Sequence, residues 1–374
     1  MKKLLIVLLF TLLVQLVYAG NLTIGGYGQI DYNQKIDNEI YNNGILDVHR
    51  MVFLFGYQFD SKTKFISEIE YEHVKEVYVE QAYLAHKLNN FITIDAGLML
   101  IPMGIINLYH EPPTFNGVER PTVDKYIAPT TWREIGAGIS GNFLDLDLKY
   151  KLYLVNGFNG YDGSAKLSGK NGLRKGRQKG AESYMSSPNL TGRVEYYGLP
   201  STTFGFSGYF GNTQSTLYDG LEKNDDTGVQ AADSSVIGVS MVGLDFQTKK
   251  QGFEFTGQFY HSTLSNTNQY NRFTSSDVGK SMIGYYIEGG YDVLRHFNAE
   301  TQLISFIRYE KYNTQNSLEK GYTENNTYNN QIITLGLSWK VVNGAVFKCD
   351  YQLLKSVAAE DFDKAFNAGV GIMF

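Results

Sequence analysis

Leu144-Asp145-Leu146-Asp147-Leu148-Lys149-Tyr150-Lys151-Leu152-Tyr153-Leu154 alternates almost without a break. Leu146, Leu148, Tyr150, Leu152 and Leu154 fall on one face. Asp147, Lys149 and Lys151 fall on the other. A period of two is that of an extended strand, whose successive side chains point to opposite sides. The same pattern recurs outward along the chain. Phe65, Ile69 and Tyr71 oppose Glu68, Glu70 and Glu72. Phe253, Phe255 and Phe259 oppose Glu254, Thr256 and Gln258. Phe347, Cys349, Tyr351 and Leu353 oppose Lys348, Asp350 and Gln352. Phe366, Ala368, Val370, Ile372 and Phe374 alternate up to the last residue. Many of these runs exceed the usual ~5–6 residues and are long enough to cross a bilayer at a tilt of ~45°.

Sixteen strands are expected, near 22–33, 45–59, 64–73, 77–87, 91–100, 132–140, 146–155, 190–197, 203–211, 235–247, 253–262, 282–291, 299–310, 331–340, 345–355 and 364–374. Their connections alternate. Asp60-Ser61-Lys62-Thr63, Leu88-Asn89-Asn90 and Val341-Val342-Asn343-Gly344 are short turns. Residues 101–131, 156–189, 212–234 and 263–281 are long loops. Even strand number, short turns on one side and long loops on the other define an all-β transmembrane antiparallel barrel. A β-sandwich would use fewer, shorter strands. A propeller would show a repeat of about 40–50 residues, and none is found. Closure also removes the edges that such long strands would expose.

Composition agrees. Of 374 residues, 43% are hydrophobic and 14% aromatic, with 28 Tyr, 23 Phe and 2 Trp. That loading suits aromatic girdles and excludes disorder. A single Cys excludes a disulfide framework and a Cys-cluster metal site. Cys349 is read as a small apolar filler on the lipid face. The net charge of −5 argues against a nucleic-acid binder. Met1-Lys2-Lys3 followed by an apolar run and Val17-Tyr18-Ala19 reads as a signal peptide over 1–19. The expected barrel domain is then 20–374, exported to the bacterial outer membrane. No catalytic, cofactor or metal motif is expected, and the protein is read as a non-enzyme. Gly136-Ala137-Gly138-Ile139-Ser140-Gly141 fits a dinucleotide pattern but lies in a strand without a following helix.

The stretch Ile101-Pro102-Met103-Gly104 through His110-Glu111-Pro112-Pro113 and Lys125-Tyr126-Ile127-Ala128-Pro129 to Trp132-Arg133-Glu134-Ile135-Gly136 resembles the phosphate-selective porin O and P family, and most closely its Bacteroidetes branch. The loop Lys170-Asn171-Gly172-Leu173-Arg174-Lys175-Gly176-Arg177-Gln178-Lys179-Gly180 is similar to another loop of that branch. The resemblance implies a sixteen-stranded outer-membrane barrel, commonly a homotrimer, that passes small solutes. Its assembly would use the barrel-assembly machinery, with Phe374 as a terminal assembly signal.

Pore-lining candidates are Arg50, Glu68, Glu70, Glu72, Asp147, Lys149, Lys151, Arg193, Glu195 and Arg308. Inward arginines on the strands are few, with Arg50, Arg193 and Arg308 the best placed. The 101–131 loop carries five of the seven prolines and many apolar residues. A stiff apolar loop is expected to pack, either inside the barrel as a constriction or at a subunit contact. His110, Glu111, Glu119, Arg120, Asp124 and Lys125 would then narrow the pore. The basic run at 166–179 is a solvated loop, a contact for lipopolysaccharide phosphates or a trimer neighbour, or a funnel for anions. Small hydrophilic solutes or anions, outer-membrane lipid and lipopolysaccharide are the expected partners. The alternatives are a phosphate- or anion-selective porin and a non-conducting barrel that serves as an adhesin or an enzyme.

Overall fold

The alternating segments pair with their neighbours in chain order. In the computed structural model, residues 21–374 except Asn298 are described, and the expected signal segment lies outside them. Sixteen strands form the wall: β1 Asn21–Ile36, β2 Ile45–Gln58, β3 Thr63–Glu72, β4 Glu76–Lys87, β5 Thr93–Leu100, β6 Arg133–Phe143, β7 Leu148–Val155, β8 Asn189–Leu199, β9 Thr202–Asn212, β10 Gly238–Lys250, β11 Phe253–Ser265, β12 Ser281–Asp292, β13 Gln302–Ser317, β14 Asn329–Val342, β15 Ala345–Ser356 and β16 Asp363–Met373. The barrel closes through antiparallel pairing of β1 with β16, in which Tyr27 faces Met373. The amide of Gly26 donates to the Phe374 carbonyl at 3.0 Å, and the Phe374 amide returns a bond at 2.9 Å.

Alternation sets the faces. On β7, Leu152 and Leu154 are exposed outside while Tyr153 and Val155 are buried inside. On β3, Glu68 and Glu70 are buried within the barrel and Tyr71 is exposed on the outer face. A one-residue slip would invert every such assignment. With all edges paired and an apolar outer surface, the wall meets the requirements for spanning a bilayer.

Two strands depart from the sequence reading in ways that bear on the site. β7 begins at Leu148, because Leu144–Leu146 forms one 3-10 turn and Asp147 takes φ 51°. Aspartate tolerates that left-handed conformation, so Asp147 sits in a short turn on the rim and leaves the pore-lining face. β13 begins and ends later than expected, reaching Ser317. Its outer part pairs with β14 only as far as Asn313.

The lumen is not empty. On the long-loop side, inward residues such as Tyr209, Met241, Tyr260 and Met282 pack against Ile101, Met103, Val123, Ile127 and Trp132 of the 101–132 loop. Phe158, Leu167 and Leu173 of the 156–188 loop join the same core. Trp132 stacks on Phe158 at 4.3 Å and lies 4.7 Å from Tyr209. Burying each large side chain is worth about 1.5–3 kcal/mol. The apolar content of these loops therefore draws them inward.

Candidate functional site

The 101–132 loop leaves β5, crosses the lumen and returns to β6. Its neck is closed by the Ile101 amide donating to the Trp132 carbonyl at 2.9 Å. Asn107 reinforces the neck, donating to the carbonyls of Ile101 at 2.8 Å and Trp132 at 2.9 Å and accepting from the Trp132 amide at 2.7 Å. The sequence expectation of an inward-folded loop holds, and its prolines and apolar residues explain why. Pro112 packs so close to Gly371 of β16 that a Cβ there would lie 2.6 Å from the proline. Gly284 of β12 similarly makes room for Ile127 and Val123.

The tip is held by its backbone. Lys348 Nζ of β15 donates to the carbonyls of Phe115 at 2.6 Å and Gly117 at 2.8 Å, and sits 3.7 Å from the Phe115 ring centroid. Asp350 accepts from the Val118 amide at 2.7 Å. Gln29 of β1 donates to the Val118 carbonyl at 3.1 Å, and Arg308 of β13 donates to that of Glu119 at 3.1 Å. Glu310 accepts from the Thr122 amide at 2.5 Å. Backbone groups taken from water need such partners. The inward charges of β13 and β15 are thus spent largely on the loop.

The other end is held by a side chain. His110 enters a buried cluster on β1, β3 and β4. Its Nε2 lies 2.8 Å from the Tyr27 hydroxyl oxygen, 3.3 Å from Glu80 and 3.5 Å from Glu68. Its Nδ1 lies 3.3 Å from the Asn107 carbonyl oxygen. Tyr27 donates to Glu68 at 2.7 Å, and Gln81 donates to Glu68 at 2.6 Å. Arg133 of β6 meets Glu80 at 3.3 Å, and Arg50 of β2 meets Glu70 at 3.3 Å. Burial pushes the His110 ring toward neutrality, but the Glu68 and Glu80 carboxylates outweigh it and raise its pKa to about 9.

Glu80 was absent from the candidates read in the sequence. A β-bulge places it inside: Glu68 faces Gln81, the next pair is Ile69 with Val79, and Glu80 is the extra residue. Period-two counting fails at such a position. Arg133 was missed as well, because it lies at the loop-to-strand junction.

A second basic group lies above the loop. Arg120 donates to the His110 carbonyl at 2.9 Å. Arg174 donates to the Thr130 carbonyl at 3.0 Å, and Arg177 donates to that of Thr131 at 3.1 Å. Lys179 and Arg133 flank the Tyr78 ring at 4.9 and 5.6 Å. Burial lowers the Arg177 pKa to about 9, helped by the neighbouring Arg174 and Arg133. Burial and Arg50 lower that of Arg120 to about 10. Like charges crowd here. Part of the 166–179 run therefore braces the loop, whereas Lys170 and Lys175 are exposed.

Below the loop, on the short-turn side, opens a vestibule of about 1080 Å³. Ile105, Ile106, Tyr109, Pro113 and Thr114 form its roof. Glu195 and the Glu254 carboxylate, which lies 3.1 Å from Lys249 and 3.4 Å from Lys340, contribute to its walls. Arg193 is paired with Asp245 at 2.5 Å, and Lys149 lies 3.6 Å from Glu195. Lys151 borders a smaller cavity of about 100 Å³ beside Tyr109.

The remaining candidates divide. Glu72 is half-buried 3.9 Å from His73, and Glu119, Arg120 and Glu111 are also half-buried. Lys125 is exposed. Asp124 is buried and accepts from Tyr260 at 2.6 Å, so it serves packing and is withdrawn from the expected narrowing set.

Among the described residues two groups of histidine and carboxylate lie within ligand spacing, Asp47–His49–His73 and Glu68–Glu80–His110. Neither donor set suits a cation. In the first, Arg50 donates to His49 Nε2 at 2.9 Å, which leaves the proton on Nδ1 and a positive charge behind the ring. In the second, both ring nitrogens are occupied by hydrogen-bond partners.

A closed sixteen-stranded barrel with an inward loop is the fold of outer-membrane porins. The outer-membrane channel DcaP of Acinetobacter baumannii superposes with a TM-score of 0.60 at 12% identity, over 95% of this chain and 98% of that one. An anion-selective porin from Comamonas acidovorans gives 0.59 at 10% identity, over 95% and 100%. No family model matches. An uncharacterized protein of Aquifex aeolicus is 33% identical over 348 residues, covering 88% of this chain and 74% of that protein, and the chain belongs to the same family.

Proposed function

We propose that the protein is a bacterial outer-membrane porin through which small hydrophilic solutes and ions diffuse passively. The observation that carries this reading is the 101–132 loop, tied across a closed barrel above a vestibule of about 1080 Å³. A passage of this kind selects by width and by wall charge. Glu111, Glu119 and Arg120 supply charge at the loop, and Lys149, Lys151, Arg193 and Glu195 supply it toward the vestibule. The chemistry is transport without catalysis. A planar-bilayer recording tests the reading: the purified barrel should give discrete conductance steps. A barrel without conductance would favour the adhesin or enzyme alternatives.

A preference for anions is the finer reading. It is supported by Arg120, Arg174, Arg177 and Lys179 gathering around the loop, since a local excess of one sign concentrates counter-ions. A reversal potential in a salt gradient reads the sign. Membership in the phosphate-selective porin O and P family is narrower again, resting on the resemblance over 101–136, and would require phosphate to block chloride current. The domain division into a signal segment 1–19 and a barrel 20–374 belongs to this reading, with Phe374 as the assembly signal and the exposed Lys170 and Lys175 available to lipopolysaccharide. Homotrimer assembly is supported by Ile40, Tyr41, Ile45, Leu46 and Val74, a cluster of exposed apolar residues on the long-loop rim; Tyr41 is 106% exposed.

A further inference from the structure

The two attachments of the loop differ in kind, and that difference suggests a device. We propose that residues 108–111 form a proton-controlled flap: while protonated His110 is gripped by Glu68 and Glu80 the flap, with Tyr109, roofs the vestibule, and when His110 loses its proton the flap lifts and widens the passage. The idea rests on the porin reading for its consequence and on the geometry of one cluster for its cause.

Beyond residue 114 the loop is fastened through backbone groups to Lys348, Asp350, Gln29, Arg308 and Glu310. Those bonds do not involve the ring of His110. The Ile105 amide donates to Gln258 of β11 at 3.1 Å and Pro112 packs against Gly371 of β16; between Asn107 and Pro112 the link to the β1–β4 wall runs through the ring of His110. Asn107, bonded to the neck, fixes one end of the flap, and Pro112, packed against Gly371, fixes the other.

The groups that face the ring come from every neighbouring element. Tyr27 stands on β1, Glu68 on β3 and Glu80 on β4. Behind them stand Arg133 on Glu80, Arg50 on Glu70, and Arg120 on the His110 carbonyl. Glu80 has a cation of its own in Arg133. Among the described residues Glu68 has no such cation: its other partners, Tyr27 and Gln81, are neutral. The imidazolium is the charge that balances Glu68. Without its proton, a buried carboxylate is left with neutral donors only, and burial of an uncompensated charge is costly.

The sign follows from the pKa. His110 in place holds its proton to about 9, above the ordinary value near ~6.5 for a solvated histidine. Grip is complete below the solvated value, weakens as pH climbs between the two, and is lost above about 9.

Single-channel recordings of the full barrel from pH 6 to pH 10 test the proposal, together with NMR of labelled histidine rings in the folded protein. The wild-type conductance should rise about twofold with a midpoint near the His110 titration. His110→Gln should conduct at the raised level throughout, with no step. Glu80→Gln should move the midpoint to lower pH by about one unit, and it decides the matter even if His110→Gln fails to fold. A wild-type conductance that stays flat while the ring titrates overturns the flap, as does a step that survives in His110→Gln. If no variant conducts at any pH, the porin reading fails separately. The ring midpoint then still judges the grip: a midpoint at or below the solvated value overturns it.

Discussion

The two walls that hold the 101–132 loop use different physics. Around Lys348 and Asp350, the wall grips backbone carbonyls and amides, with Phe115 the loop side chain that Lys348 also covers. Around Glu68 and Glu80, the wall grips one imidazole, and everything depends on that ring and its charge. The lesson is that a loop can be fixed at its tip and conditional at its shoulder. Backbone capture tolerates sequence change within the loop. Side-chain capture can be switched by a proton.

Mutations on each side should separate the two modes. The largest effect is expected at the tip. Lys348→Met removes the charged donor to two buried carbonyls, which should cost about 3–5 kcal/mol. Urea unfolding of the folded barrel would measure it, and a cost under about 1 kcal/mol would show the tip is held mainly by apolar packing. Ile69→Arg puts a charge on the lipid face of β3 and should cost about 2–4 kcal/mol. Aqueous labelling of a cysteine at 69 rather than at 70 would overturn that register. Tyr27→Phe removes one hydroxyl from the His110 cluster and should cost about 1 kcal/mol at pH 7. The cost should shrink at pH 10, where His110 is neutral, and a penalty independent of pH would uncouple Tyr27 from the ring. Smallest of all, Lys170→Ala on the exposed loop should stay within about 0.5 kcal/mol.

The wall was readable because alternation is enforced along every strand by an apolar outside and a polar inside. β3 and β7 illustrate this: Glu70 and Lys151 point inward as period two requires. Legibility ends where backbone geometry breaks the period. The bulge opposite Glu68 and Ile69 turns Glu80 inward, and no spacing rule marks it. The turn at Asp147 removes a charge that alternation would have placed on the wall. Prolines and apolar residues made the inward loop legible, but its partners were not. Lys348 and Asp350 come from one strand more than 200 positions away in the chain, as the Val118–Asp350 separation of 232 shows. The arginines of the 156–188 loop looked like surface charge, and only their bonds to Thr130 and Thr131 reveal a bracing role.

The central claim is that a sixteen-stranded barrel serves as a diffusion channel narrowed by the 101–132 loop. Single-channel conductance measured side by side tests it most directly, using the full chain and a variant in which residues 105–120 are replaced by a short flexible linker. Both barrels should conduct, and the shortened one should conduct more. Equal conductance would remove the loop from the passage, and silence from both folded barrels would contradict the channel itself.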